Sequence, residues 1–353
     1  MSRPLILLVG GRSTEHDASL HGYRAILRAA QEEPDRFRLD GVVFISREGS
    51  IRIFQAKPWP DSEESLIAGE RISFDRAIKK MKAPDVFVFS LLHGNEGEDG
   101  AWQGVAEIFD ITGNFGPILP SALGMNKYLQ ALLAVSVVPG LRVPQTWPVR
   151  PPVSDARYMA ILRELNLRGA VVKPNSMGAS LLSVFLLRPD VSSLKRAAED
   201  IFGYDHEVLV QEYINGQEYT CGVFREDDHL IALPVIEAQT PQNFLGHREK
   251  HEHGLVRAVV HDVDDEVVRM VKAASLTLFT EMNMFGFARF DYLFDDSLFF
   301  LEVNTLPGLM SGSAFPRMLE SGGRTLGDLI EATAREAISA PRRRKFLPYT
   351  IHH

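Results

Sequence analysis

Short apolar runs closed by glycine or polar residues alternate along this chain with longer stretches of helical period. Pro4 to Val9 is the first run; Gly10-Gly11 closes it, so it reads as a buried parallel strand. Ser19 to Ala30 follows with the spacing of a helix, and Gly41 to Ser46 and Val86 to Leu92 are two more buried runs. Strands that alternate with helices predict an open, mostly parallel α/β unit up to about residue 118. Such units take ligands beyond the C-terminal ends of their strands. Two polar, glycine-rich segments fall there, Gly10 to His16 and His93 to Gly100.

Pro117 and Pro120 mark a boundary, after which Ser121 to Val135 is helical in pattern. Pro144, Pro148, Pro151 and Pro152 make a loop, and Ala170 to Lys173, Ser183 to Leu187 and Val208 to Tyr213 read as strands. A third region begins near Gly216. It contains strand-like Tyr219 to Phe224, a polar stretch from Glu237 to Gly254 and a helix from Asp264 to Thr280. It ends on the paired runs Phe285 to Phe294 and Leu298 to Asn304.

Composition narrows the class. With 353 residues, 45% hydrophobic and 24% charged, the chain is neither disordered nor collagen-like, and it is long enough for two or three domains. The single Cys221 excludes a disulfide scaffold and favours a cytoplasmic setting. No apolar run reaches the roughly 18 residues of a membrane helix, so no membrane partner is expected. The segment from Met1 to Gly10 reads as a first strand rather than a signal peptide. A net charge of −8 argues against nucleic acid as a partner. Arg342-Arg343-Arg344-Lys345 is the exception and reads as a solvated basic tail.

The chemistry concentrates in Arg289-Phe290-Asp291 and Glu302-Val303-Asn304. Strand side chains alternate, so Arg289 shares a face with Asp291, and Glu302 shares one with Asn304. A hairpin turn at Asp295-Asp296-Ser297, with a loop of about four residues, sets Asp291 opposite Glu302. Two carboxylates and an amide, without Cys or His, are hard oxygen donors that suit Mg²⁺ shared with nucleotide phosphates. Arg289 beside them suits the charge of a transferring phosphoryl group. The alternative is an exposed hairpin face with incidental ion pairs, which accounts less well for polar residues set between Phe290, Leu301 and Val303.

Four blocks in order now carry a resemblance over nearly the whole chain. They are Gly10 to His16 with Ser19-Leu20; Leu92-His93-Gly94 through Gly97-Glu98-Asp99-Gly100 and Gln103-Gly104; Met125-Asn126-Lys127; and Arg289-Phe290-Asp291 with Glu302 to Gly308. The chain resembles an ATP-grasp enzyme of the D-alanine–D-alanine ligase family. The resemblance implies an α/β N-terminal domain (1–118) before a two-part ATP-grasp fold. That fold is α+β in its last part, with a central subdomain (119–215), a C-terminal subdomain holding the metal site (216–340) and a basic tail (341–353). It implies a cytoplasmic homodimer that joins two D-alanines through an acyl phosphate for peptidoglycan precursors. ATP and two Mg²⁺ ions are implied, with Mn²⁺ able to replace them.

By that resemblance Asp291, Glu302 and Asn304 hold the metal, and Arg289 with the Gly308 N–H stabilises the oxyanion. A glycine lets a backbone donor approach closely. Glu15 meets the first substrate's ammonium group and His93 its carboxylate. Ser313 and Ala314 line the second-substrate pocket. Lys127, Lys173 and Ser180 reach the phosphates, Gln211, Glu212 and Ile214 the adenine, and Glu218 the ribose. Read singly, each has a plainer explanation: Glu15 as a helix N-terminal acid, Ser313 as a turn residue, the lysines as surface charges.

The departures lie around the substrates. Ala179 stands where the family has a serine linked to Glu15, and Leu182 where it has glycine. The segment 239–254 matches a loop that folds over the site, with Lys250 on phosphate and His251 in place of a tyrosine. Related ligases that use D-lactate also differ there, and a cationic histidine repels an ammonium nucleophile. Three readings stand: a D-alanine–D-alanine ligase, a ligase for another pair such as D-alanine with D-lactate, and a nucleotide-binding protein without turnover. A nicotinamide dehydrogenase is excluded, since Gly10 to Thr14 lacks the required glycine spacing.

Overall fold

Leu5 to Val9 leave no polar face, so the strand Pro4–Gly10 (β1) has to be covered on both sides. Arg38–Ile45 (β2) lies parallel to one edge of it, and Ile51–Phe54 (β3) and Glu70–Ile72 (β4) continue that side antiparallel. Phe87–Ser90 (β5) is parallel to the other edge, which gives the order β4-β3-β2-β1-β5. The short strands β3 and β4 carry too little periodicity to be read from sequence. The computed structural model describes residues 4–339 apart from 35, 37, 166–168, 240–256 and 262–264.

The first helix runs His16–Glu32, wider than Ser19 to Ala30. The stretch Ser121 to Val135 is two helices rather than one, Ile118–Gly124 and Lys127–Val137. The break has a local cause. Asn126 adopts an extended backbone, and its side chain accepts the Leu129 N–H, which starts a new helix despite the continuing apolar pattern.

Thr146–Val149 (β6), Ala170–Pro174 (β7), Val184–Leu186 (β8) and Val208–Glu212 (β9) form an antiparallel sheet in the order β6-β9-β7-β8. Its apolar face packs on the helices Asp155–Glu164 and Val191–Phe202 through Tyr158, Ile161, Leu194 and Ala198.

The third sheet contains Gln217–Glu226 (β10), His229–Ala232 (β11), Val235–Gln239 (β12), Arg257–His261 (β13), Phe287–Phe294 (β14) and Leu298–Asn304 (β15). Its order is β13-β12-β10-β14-β15, with β11 paired to β10. Ala288, Phe290 and Tyr292 face the helix Glu266–Glu281 and share its core with Val271, Leu278 and Phe279. Phe287, on the opposite face of β14, belongs to the core of the N-terminal sheet and stacks on Phe89, ring centroids 6.2 Å apart. Farther along that same face come Arg289 and Asp291. That face of β14 is therefore apolar where it meets the N-terminal sheet and polar farther along.

Candidate active site

The β14–β15 hairpin pairs Arg289 with Asn304 and Asp291 with Glu302, the pairing that the spacing predicts. The route differs. The loop has three residues, since Phe294 pairs with Leu298, and a bulge at Leu301 between Asp291 and Tyr292 restores the register. With the same loop and no bulge, Glu302 would oppose Phe290 and point into the core.

Asp291 is 3% exposed and carries four hydrogen bonds. Arg289 donates Nε to its Oδ1 (2.9 Å) and Nη2 to its Oδ2 (2.8 Å). Thr220 on β10 donates to Oδ1 at 2.6 Å and Asn304 Nδ2 to Oδ2 at 3.1 Å. Burial works against the Arg289 charge, but Asp291, with Glu302 and Glu218 farther off, raises its pKa above the ordinary value. Glu302 pairs with Lys127 Nζ at 3.0 Å, and that ammonium also donates to the Met177 carbonyl at 2.9 Å.

These groups open onto a cleft of about 750 Å³ between the two antiparallel sheets. Lys127, Lys173, Ser180, Gln211, Glu212, Ile214, Glu218, Asp291 and Glu302 all line it. Sequence reasoning missed its apolar walls, Val171, Leu293 and Leu301. The signal was available: Val171 and Leu293 sit two residues from Lys173 and Asp291, on the same strand faces. Gln211 is held by its amide, which donates to Thr146 Oγ1 at 2.8 Å, and Glu212 Oε1 accepts the Gln145 N–H at 2.8 Å.

Glu15 lies in a slot kept open by two glycines. A Cβ on Gly178 would fall 2.1 Å from its Oε1, and one on Gly94 2.9 Å from the same atom. Burial, and then the Glu98 charge, raise the Glu15 pKa, while His93 and Lys127 draw it down. Ala179 and Ser180 follow Gly178 with φ of 53° and 52°, and Leu182 has 56°, a left-handed conformation that glycine adopts more easily.

His93 Nδ1 is 3.0 Å from the Leu306 carbonyl oxygen, which can only accept. The ring proton therefore sits on Nδ1. Nε2 is buried without a protein partner among the described residues. Burial lowers the His93 pKa, opposed by Glu15.

Glu98, which sequence reasoning placed in a motif without a role, ties this loop to the segment after β15. It accepts the N–H groups of Gly94 and Leu306 at 2.8 Å each and the Thr305 hydroxyl at 3.3 Å. Burial pushes its pKa up to about 7 against those donors.

Ser313 stands just before the helix Ala314–Ser321 and makes no side-chain cap bond. Its Oγ would be 3.6 Å from a Cβ on Gly308, an ordinary contact, so packing does not itself require glycine there. Ala314 opens the helix, half-buried against the core. Lys250 and His251 lie outside the described residues.

The donor set Asp291, Glu302 and Asn304 is all hard oxygen and suits Mg²⁺ rather than a softer metal. Among the described residues no cluster of three or more His, Cys, Asp or Glu side chains is arranged to hold a metal. The two carboxylates are instead neutralised by Arg289 and Lys127.

A family model described as D-ala D-ala ligase N-terminus matches residues 4–113, and one described as D-ala D-ala ligase C-terminus matches 154–334. Among curated relatives, a D-alanine–D-alanine ligase of Porphyromonas gingivalis is 26% identical over 96% of this chain and 99% of that protein. One of Streptococcus pneumoniae is 29% identical over 94% and 95%. Among solved structures, the VanG D-Ala:D-Ser ligase of Enterococcus faecalis superposes with a TM-score of 0.78 at 25% identity, over 96% of this chain and all of that one. The D-alanine–D-alanine ligase of Coxiella burnetii, with a TM-score of 0.74 and 22% identity over 96% and 94%, shares the fold.

Proposed function

The chain belongs to the D-alanine–D-alanine ligase family, and from that premise we propose that it joins two D-alanines with ATP, for peptidoglycan precursors. A carboxylate oxygen of the first D-alanine attacks the γ-phosphorus and ADP leaves. The amine of the second attacks the carbonyl carbon of the acyl phosphate to give a tetrahedral oxyanion, which collapses as the C–O bond to phosphate breaks, phosphate leaves and the nitrogen gives up a proton. One observation carries the reading. The cleft that holds Lys127 and Lys173 also holds the two carboxylates of the hairpin, with Arg289 on Asp291.

In this reading Gln211, Glu212, Ile214 and Glu218 hold the adenosine, and Lys127, Lys173, Ser180 and Lys250 the phosphates. The cations now paired with Glu302 and Asp291 turn to phosphate oxygens and leave the carboxylates for metal. Two Mg²⁺ ions, or Mn²⁺, at Asp291, Glu302 and Asn304 would neutralise phosphate charge. Glu15 holds the first ammonium group, and His93 meets the first substrate through Nε2. Arg289 and the Gly308 N–H stabilise the oxyanion, while Ser313, Ala314 and His251 shape the second subsite. The domain division is 1–118, 119–215 and 216–340, each region with its own sheet, followed by the basic tail 341–353.

A second reading keeps the chemistry and changes the pair that is joined, to D-alanine with D-lactate or another amino acid. Ala179 favours an altered first subsite, since no hydroxyl is present there beside the Gly178–Glu15 slot. The set Arg289, Asp291, Glu302 and Asn304 argues against a protein that only binds nucleotide. No helix among the described residues is long and apolar enough to cross a membrane. We place the enzyme in the cytoplasm as a homodimer acting on small molecules. The experiment is phosphate release from ATP and Mg²⁺ with D-alanine alone, then with D-lactate and a panel of amino acids. Products are identified by mass.

A further inference from the structure

The helix Lys127–Val137 presents Lys127 at its first position, so the direction of that ammonium depends on how the helix N-terminus is held. The first four N–H groups of the helix are all accounted for. Asn126 takes two of them: its side-chain Oδ1 accepts from Leu129 at 2.9 Å and its carbonyl from Gln130 at 3.0 Å. Asn175, the residue just after β7, takes the other two: its carbonyl accepts from Lys127 at 3.1 Å and its Oδ1 from Tyr128 at 2.9 Å. Asn175 is fully buried.

Its orientation is fixed from behind. Asn175 Nδ2 donates to Glu207 Oε2 at 2.7 Å, and the Asn175 N–H donates to the Glu207 carbonyl at 3.1 Å. Glu207 is 5% exposed, and its other carboxylate oxygen pairs with Arg150 at 2.8 Å. The amide thus has its donor end on a carboxylate and its acceptor end on a helix N–H, and a flipped amide satisfies neither. Two residues before Asn175, in β7, Lys173 lines the cleft; two residues after it, Met177 offers its carbonyl to Lys127 Nζ.

We propose that Asn175, oriented by Glu207, is a positioning residue for nucleotide binding. It locks the helix that carries Lys127 to the strand that carries Lys173, so both ammonium groups meet the phosphates in fixed register. This rests on the reading of the cleft as the nucleotide site. Loss of the Asn175 clasp leaves the fold of each part intact and frees the first turn of the helix to rotate Lys127 away.

The test measures ATP affinity by titration calorimetry, so it does not depend on turnover. Asn175→Ala is expected to weaken ATP about tenfold, the scale of one or two lost hydrogen bonds. In a Lys127→Ala background the same change is expected to cost less than about twofold, because its effect runs through that lysine. An unchanged affinity in folded Asn175→Ala overturns the proposal, and so does an equal loss in both backgrounds.

Should Asn175→Ala fail to fold, a second pair decides. Asn175→Asp sets two carboxylates together and is expected to lose affinity, and Asn175→Asp/Glu207→Gln restores the donor and acceptor and is expected to recover it. No recovery in a folded double variant overturns the proposal. A wild-type protein that binds ATP but ligates no D-alanine would sink the functional reading alone; one that binds no ATP sinks both.

Discussion

With a three-residue loop closing the β14–β15 hairpin, Asp291 and Glu302 face each other because one residue, Leu301, is bulged out of the ladder. The bulge keeps Leu298 and Phe300 on the core face and turns Glu302 and Asn304 to the cleft. A change of parity within one strand is the device that lets a single hairpin both seal a core and present acids to a nucleotide.

Glu302→Gln removes one charge of this pair without changing its shape. Mg²⁺-dependent ATP hydrolysis is expected to fall by at least about a hundredfold in a folded protein. Asp291→Ala is expected to abolish it, and in addition to lower stability by roughly 1–3 kcal/mol, because the half-buried Arg289 then loses both of its hydrogen bonds to a carboxylate. A near-normal rate in either variant sinks the metal assignment.

The slot around Glu15 gives a sharper test of the first-substrate site. In Gly178→Ala the new methyl would stand 2.1 Å from Glu15 Oε1, so the carboxylate has to move. The KM for the first D-alanine is expected to rise about tenfold or more while ATP affinity holds. Ala179→Ser returns a hydroxyl to the position next to that slot and is expected to improve D-alanine turnover. Unchanged kinetics in both variants would remove Glu15 from the substrate site.

Gly308 separates a functional glycine from a structural one. A Cβ there meets Ser313 Oγ at 3.6 Å and Met310 at 3.9 Å, both ordinary contacts. Gly308→Ala is therefore expected to keep its stability within about 0.5 kcal/mol and to lose about a hundredfold in kcat, as its N–H is screened from the oxyanion. Equal losses of stability and activity would assign the glycine to the fold.

Glu98 sets a pH dependence. Burial holds its folded pKa at about 7, above the ordinary 4.5. A raised pKa contributes stability that is complete below about 4.5 and is lost as pH rises through about 7. Urea midpoints of the wild type and Glu98→Gln are expected to differ more in favour of the wild type at about pH 5 than at about pH 8. A margin that grows with pH would mean the three donors, not burial, set the titration.

What the sequence reveals tracks the range of the interactions involved. β1, the Phe285–Asn304 hairpin and the facing of Asp291 and Glu302 follow from apolar runs and period-two alternation, which are local. The three-residue loop with its compensating bulge was not legible, since a four-residue loop yields the same pairing. The break at Asn126 was hidden because the apolar period continues through it. Glu98 and Asn175 were missed for a different reason. Their partners lie far along the chain, at Leu306 and Glu207, and neither residue type signals a clasp by itself. Ala179 was legible as a departure. The two glycines that turn it into a question about Glu15 became visible only in three dimensions.

The mass of the product formed from ATP, Mg²⁺ and D-alanine alone tests the ligase assignment most directly. The expected product is D-alanyl-D-alanine, with one phosphate released for each dipeptide. Phosphate released only when D-lactate or another amino acid is added would contradict that pairing and favour the altered second subsite. ATP bound without any product across the panel would contradict the ligase itself.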